Sequence, residues 1–156
     1  MKILSALLAL FTPAAVTATA SEQVSSPPYK LEVGKPVAFE ACSPDNRYSV
    51  VFEDDGDTGY LYALDYSDKE KNPIQEAMSI YDVKNVTDRA KPSEIVLVWT
   101  ADSQQAALFI NSYPHAVFDF AKKRGYCRRD FPKPGKWGTS FKWDDSAIEV
   151  FKKKKG

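Results

Sequence analysis

Residues 99–127 read WTADSQQAALFINSYPHAVFDFAKKRGYC, and their pattern decides the fold class. With the run just before them, they give three strands: 94–100 (EIVLVWT), 105–111 (QAALFIN) and 116–120 (AVFDF). These runs are rich in β-branched and aromatic residues, the composition of strands. Residues 101–104 and 112–114 lie between them and are rich in Asp, Ser and Pro, which form turns. Strand, turn, strand, Pro turn, strand is a series of antiparallel hairpins. The stretch ends in a basic exit, 122–129, which carries one of the two cysteines. It also holds the single histidine, His115.

The same grammar extends upstream. Residues 37–41, 48–53 (YSVVFE) and 60–66 (YLYALDY) read as strands. Turns at 43–46 and 54–59 separate them, the second holding an Asp-Gly hairpin signal. Segments 43–66 and 100–120 echo each other, with Asp65 and Asp119 at equivalent ends. Two copies cannot close a propeller, so the echo reads as two hairpins of one sheet. The period changes at Asn72-Pro73, where a cap, a Pro at the first helical position and Gln75 announce a helix. Ile74, Ala77, Met78 and Tyr81 fall on one helical face, which predicts a helix over 73–81. A second helix is predicted over 143–152, with Asp144 or Asp145 as its cap. The expected fold is α+β: a mainly antiparallel sheet of about five to seven strands built of hairpins, with one or two helices packed on one face.

Composition narrows the function classes. The chain has 156 residues, 44% apolar and 13% aromatic, enough for one domain with a real core. Its 21 basic and 21 acidic residues balance, which argues against a nucleic-acid partner. Residues 1–20, MKILSALLALFTPAAVTATA, carry a positive start, a short apolar run and an A-x-A ending, the order of a secretory signal peptide. Cleavage is expected after Ala20. Residues 21–36 then form a Ser/Pro-rich leader with a short edge strand at 29–33, and 37–156 form a single globular domain. The apolar run is too short to span a bilayer, and no transmembrane segment is expected. The expected location is periplasmic or secreted. In such an oxidising compartment Cys42 and Cys127 read as a structural disulfide, closing a long loop for about 4 kcal/mol. The alternatives are two separate buried thiols, a catalytic thiol or a metal pair.

The segments VFEDDG-x-TGY-x-YALD (51–65), YPHAVFDF (113–120) and KRGYCR (123–128) resemble a bacterial family known as a domain of unknown function. The resemblance covers residues 48–132. It implies a bacterial source, so the sequon Asn85-Val86-Thr87 loses weight and the export destination becomes the periplasm. Members of that family are small and often lack an export signal, so the signal here is a departure that points away from the cytosol.

Three constellations could carry chemistry. Asp54, Asp55 and Asp57 on a Gly turn are weak metal candidates, and their spacing is not that of an EF-hand. A solvated hairpin tip is the plainer reading. His115 and Asp119 share one face of a strand, either as a small polar site or as the wet face of a half-buried sheet. No nucleophile elbow accompanies them, no catalytic residue is assigned and no cofactor is implied. The exit loop places Lys122, Lys123, Arg124, Arg128 and Arg129 beside Tyr126 and Phe131, a basic-aromatic mixture suited to an acidic protein surface and equally to phosphate or a polyanion, an ordinary charged loop being the plainer reading. Of these, Arg124, Tyr126, Arg128 and Arg129, with Tyr113, His115 and Asp119, are the candidate binding residues. The favoured function is an exported binding protein with a protein partner, acting as an inhibitor or immunity-type protein. The alternatives are a metal-assisted hydrolase using the acidic tip and His115, and an envelope-associated structural protein using the Lys152–Lys155 tail.

Overall fold

The computed structural model describes residues 22–67, 72–129, 135–138 and 140–152. The expected signal peptide, Phe131 and most of the terminal Lys run lie outside these residues. Among the described residues, eleven strands form two sheets. The smaller sheet holds β3 (Val37–Cys42), β4 (Tyr48–Asp54), β5 (Thr58–Asp65) and β6 (Ile74–Asp82) in sequence order, all antiparallel. The larger runs β7 (Ser93–Thr100), β8 (Gln105–Ile110), β9 (Tyr113–Asp119), β10 (Arg124–Cys127) and β11 (Ser140–Lys142). Its other edge is β1 (Gln23–Ser25) and β2 (Tyr29–Leu31), both paired antiparallel to β7. The pairing of β10 with β11 is parallel.

The expected antiparallel hairpins are present, and turn chemistry explains their register. Asn111 and Ser112 both adopt positive φ (50° and 64°), a two-residue turn of the mirror-image kind that matches strand twist. Pro114 lies within β9 next to a register shift in the ladder with β8, where its missing N–H is tolerated. Gly56, at φ 99°, supplies the left-handed residue of the β4–β5 turn.

Three expectations are corrected. The predicted helix at 73–81 is strand β6. Its apparent helical cap is a local turn: Asn72 Oδ1 accepts from Ile74 N at 3.0 Å. In the strand the four residues of the expected helical face do not share a face: Met78 is buried opposite Leu61, Ala77 lies opposite the outward Tyr62, and Ile74 is exposed, with two irregularities interrupting the β5–β6 ladder. The two echoing hairpins lie in different sheets, because the connection from β6 to β7 carries the chain across. Their equivalent aspartates do share a job: Asp65 accepts from Ser67 N and Asp119 from Lys122 N, each capping the turn that leaves its strand. Within the Ser/Pro-rich segment, β2 falls on the expected edge strand at 29–33, and β1 is a second short strand. Finally, no disulfide joins Cys42 to Cys127. Cys42 is exposed at the end of β3, while Cys127 is buried on β10 of the other sheet, its thiol donating to Ser79 O at 3.4 Å.

The predicted C-terminal helix is a 3-10 helix, Asp145–Phe151, with Asp144 accepting from Ser146 N as its cap. The core has two layers. Ile95, Leu97 and Trp99 of β7, Ala106, Leu108 and Ile110 of β8, and Ala116 and Phe118 of β9 face the smaller sheet's Val50, Phe52, Leu61, Ala63 and Met78. The alternate residues Val98, Ala107 and Val117 face outward and are covered by Ile148 and Phe151 of the 3-10 helix. Trp99 is fully enclosed, and its indole N–H donates to Ala41 O of the opposite sheet at 3.0 Å. Trp99→Ala should therefore lower stability by about 3–5 kcal/mol, read as a lower urea midpoint with secondary structure retained.

Candidate functional site

The alternation that buries Cys127 turns Arg124, Tyr126 and Arg128 to the outer face of the larger sheet. Antiparallel pairing sets Tyr126 beside Val117, and parallel pairing sets it beside Phe141 of β11. Arg128 N donates to His115 O at 3.4 Å, carrying the ladder one step past β10. Five of the seven candidate binding residues therefore gather on one surface: Tyr113, His115, Arg124, Tyr126 and Arg128.

Aromatic rings brace the two guanidinium groups there. Arg128 lies 4.5 Å from the Tyr113 ring and 4.1 Å from the Trp143 ring, and its Nε donates to Pro114 O at 2.7 Å. Arg124 lies 5.0 Å from the Phe141 ring, which stacks on Tyr126 at 5.7 Å. Each such cation–ring contact contributes about 0.5–1 kcal/mol at an exposed site. Tyr113 and Phe141 remain 53% and 38% exposed. Among the described residues, neither Arg124 nor Arg128 is ion-paired with a carboxylate. His115 packs edge-on against Tyr113 at 5.5 Å. Burial, and secondly the Arg128 charge, hold its pKa below the usual value of 6.5.

Two candidates do not join them. Asp119 is buried at the far end of β9, where it accepts from Gln105 Nε2 at 3.1 Å and Lys122 N at 2.9 Å. Arg129 turns the opposite way and pairs with Asp82 at the end of β6, with Ser79 Oγ 3.5 Å from its guanidinium. It clips the end of β10 to the smaller sheet. Phe141 and Trp143 belong to the face but were not singled out in the sequence. The FKW run was there to see, yet only the long-range β10–β11 pairing brings it alongside Tyr126.

Two carboxylates of the acidic tip, Asp54 and Asp55, are taken up by hydrogen bonds within the fold. Asp54 is fully buried and accepts from Gly34 N, Gly56 N and the Tyr81 hydroxyl at 2.8, 2.8 and 2.7 Å. Tyr81 can lie there because Gly59 leaves room: a Cβ at Gly59 would meet its ring at 2.6 Å. Asp55 accepts from Asp57 N and Thr58 N, and these bonds lower its pKa. Among the described residues, no group of three or more His, Cys, Asp or Glu could hold a metal ion.

A further carboxyl, Glu76 of β6, went unnoticed in the sequence. It is 1% exposed; its Oε1 accepts from Ala77 N at 3.1 Å and Gly135 N at 3.0 Å. Lys136 N donates to the neighbouring Gln75 O at 2.8 Å. Together these bonds fasten residues 135–138 to β6 and seat Trp137 edge-on against Phe118 and Phe120, at 5.7 and 5.2 Å. The other carboxyl oxygen, Oε2, is buried with no hydrogen-bond partner among the described residues. Burial raises the Glu76 pKa, against the two backbone N–H groups that lower it.

Residues 31–152 match the family described as "Uncharacterized protein conserved in bacteria (DUF2251)". The chain belongs to this family. A Haemophilus influenzae protein with the printed name "Uncharacterized protein" is 40% identical over 88 residues, which cover 56% of this chain and 54% of that protein. The match thus spans about half the length of that relative. No solved structure matches the chain. The matched region includes every strand from β3 to β11 and the whole Arg124–Arg128 face.

Two outcomes follow from these electrostatics. In a nuclear magnetic resonance titration His115 should titrate below 6.5, and Arg128→Ala should move its midpoint part of the way back up, burial keeping it low. For Glu76, the folded state holds the proton more tightly than the unfolded chain. Its contribution to stability is full below the usual glutamate range and is lost as pH rises through the raised folded value. Urea unfolding across a pH series should show that loss. Glu76→Gln, which cannot ionise, should remove this part of the slope, and an unchanged slope would place the carboxyl in water.

Proposed function

We propose that the protein is an exported small binding protein that docks an acidic protein surface on the Arg124–Arg128 face, as an inhibitor or immunity-type protein does. The observation that carries this reading is a pair of guanidinium groups held in place by exposed rings and left without carboxylate partners among the described residues. Arginine stacked on aromatic rings loses little conformational freedom when it meets a carboxylate, and its planar fork suits two-point contact. Arg, Tyr and Trp are also the residues that dominate binding energy at protein interfaces. Export is supported by the order of charge, apolar run and small residues in 1–20.

The tagged protein, incubated with a periplasmic extract of its host, should capture a partner in stoichiometric amount. Arg128→Ala should weaken capture by about 2 kcal/mol, the scale of an interface hot spot. Capture undiminished by Arg124→Glu/Arg128→Glu, or no stoichiometric partner at all, would count against this reading.

A further inference from the structure

The outer face of the smaller sheet has the opposite chemistry. Inward rows such as Phe39–Phe52–Leu61 build the core, so the intervening rows Glu40–Val51–Tyr62 and Ala38–Glu53–Tyr60 point away from it. Glu40 accepts from the Ser49 hydroxyl at 2.7 Å and from the Tyr66 hydroxyl. Glu53 accepts from the Tyr62 hydroxyl at 3.0 Å, and Tyr60 lies against Tyr62 at 5.8 Å. Tyr66 is 49% exposed. Among the described residues neither Glu40 nor Glu53 is ion-paired. The protein thus presents two uncompensated carboxylates among tyrosines on one outer face. On the other it presents two uncompensated guanidinium groups among aromatic rings.

We propose that the Glu40–Glu53 face of one molecule docks on the Arg124–Arg128 face of a second copy, so that the protein self-associates head to tail. The two faces are the outer surfaces of opposite sheets, so they cannot meet within one molecule. They can meet between molecules, where each supplies the charge and the ring surface the other lacks. Arginine both pairs with carboxylates and stacks on tyrosine, so one contact satisfies both features. The balanced formal charge, 21 basic against 21 acidic residues, leaves no net repulsion to oppose the approach. Such a contact is heterologous: it joins different patches and leaves a free face at each end of the pair. It rests on the reading of the arginine face as a binding surface given above. An acidic partner would compete with the second copy for that face.

The test is analytical ultracentrifugation of the purified protein over a concentration series. At low salt the weight-average mass should rise with concentration. At high salt, where exposed charges are screened, it should fall back to that of the monomer. Arg124→Glu/Arg128→Glu makes both faces acidic and Glu40→Lys/Glu53→Lys makes both basic, so each double variant alone should stay monomeric. Mixing the two in equal amounts should restore association. Circular dichroism checks that both variants fold. If the Glu40→Lys/Glu53→Lys variant does not, the arginine variant and the salt series still decide. A wild-type protein that stays monomeric at every concentration overturns the proposal. So does association that persists in either folded double variant, or a mixture of folded variants that stays monomeric. The purified protein is measured alone, so failure here leaves the acidic-partner reading standing, and failed partner capture leaves self-association to be judged by mass.

Discussion

Everything in this protein depends on an aromatic seam between two sheets. Trp99 and Phe120 lie 5.1 Å apart at the top of the larger sheet, and Phe120 meets Tyr48 of the smaller one at 4.5 Å. Phe118 and Trp137 extend the contact. Large rings that interlock across a gap of about 10 Å contribute more per residue than aliphatic pairs and restrict how the sheets can slide. The indole N–H of Trp99 ties the seam to the backbone of β3 as well. Tyr29 does the same at the next residue, its hydroxyl donating to Glu40 O. Two side chains of the larger sheet thus cover carbonyls on the edge strand of the smaller one, a position otherwise prone to pairing with another chain.

Two buried carboxyls hold the ends of the sandwich, and they do so differently. Asp54 meets three donors and knits the β4–β5 turn to residue 34 and to Tyr81. Glu76 satisfies one oxygen only, and desolvation favours its protonated form. The first is a fully connected polar network, which specifies one arrangement of its loops. The second fastens residues 135–138 to β6 through one oxygen only. Trp137 of that segment belongs to the aromatic seam, so this attachment bears on the core and is not confined to a surface loop.

The strand alternation that builds the core also builds both outer faces. Inward Cys127 requires outward Arg124, Tyr126 and Arg128; inward Phe39, Phe52 and Leu61 require outward Glu40, Glu53, Tyr60 and Tyr62 on the neighbouring rows. Function, on this view, is written on residues that packing does not constrain, while packing sets the frame that holds them. Residues 143–151 divide the outer face of the larger sheet. The 3-10 helix covers its middle, and Trp143, just before it, borders the open arginine patch.

The sequence by itself determined the class of structure and the composition of the candidate site. Runs such as EIVLVWT and YSVVFE can only be satisfied as strands, and the Asp-Gly turn could be placed from its own residues, because turn chemistry acts over a few bonds. Tyr113, Arg124, Tyr126 and Arg128 were legible as a basic-aromatic group because they lie within sixteen residues of one another. What only the tertiary structure decided is everything that depends on distant partners. Residues 73–81, helical by local spacing and cap signals, became strand β6 because pairing with β5 claimed their backbone groups. Arg129 and Asp119 left the group because Asp82 and Gln105 draw them elsewhere. Phe141 and Trp143 joined it through the parallel pairing of β10 with β11. The two cysteines, plausible partners by number and compartment, stayed apart because they belong to different sheets. Local rules fix what each segment becomes. Which segments meet is fixed by the burial of a whole face, and no single stretch of the chain contains that information.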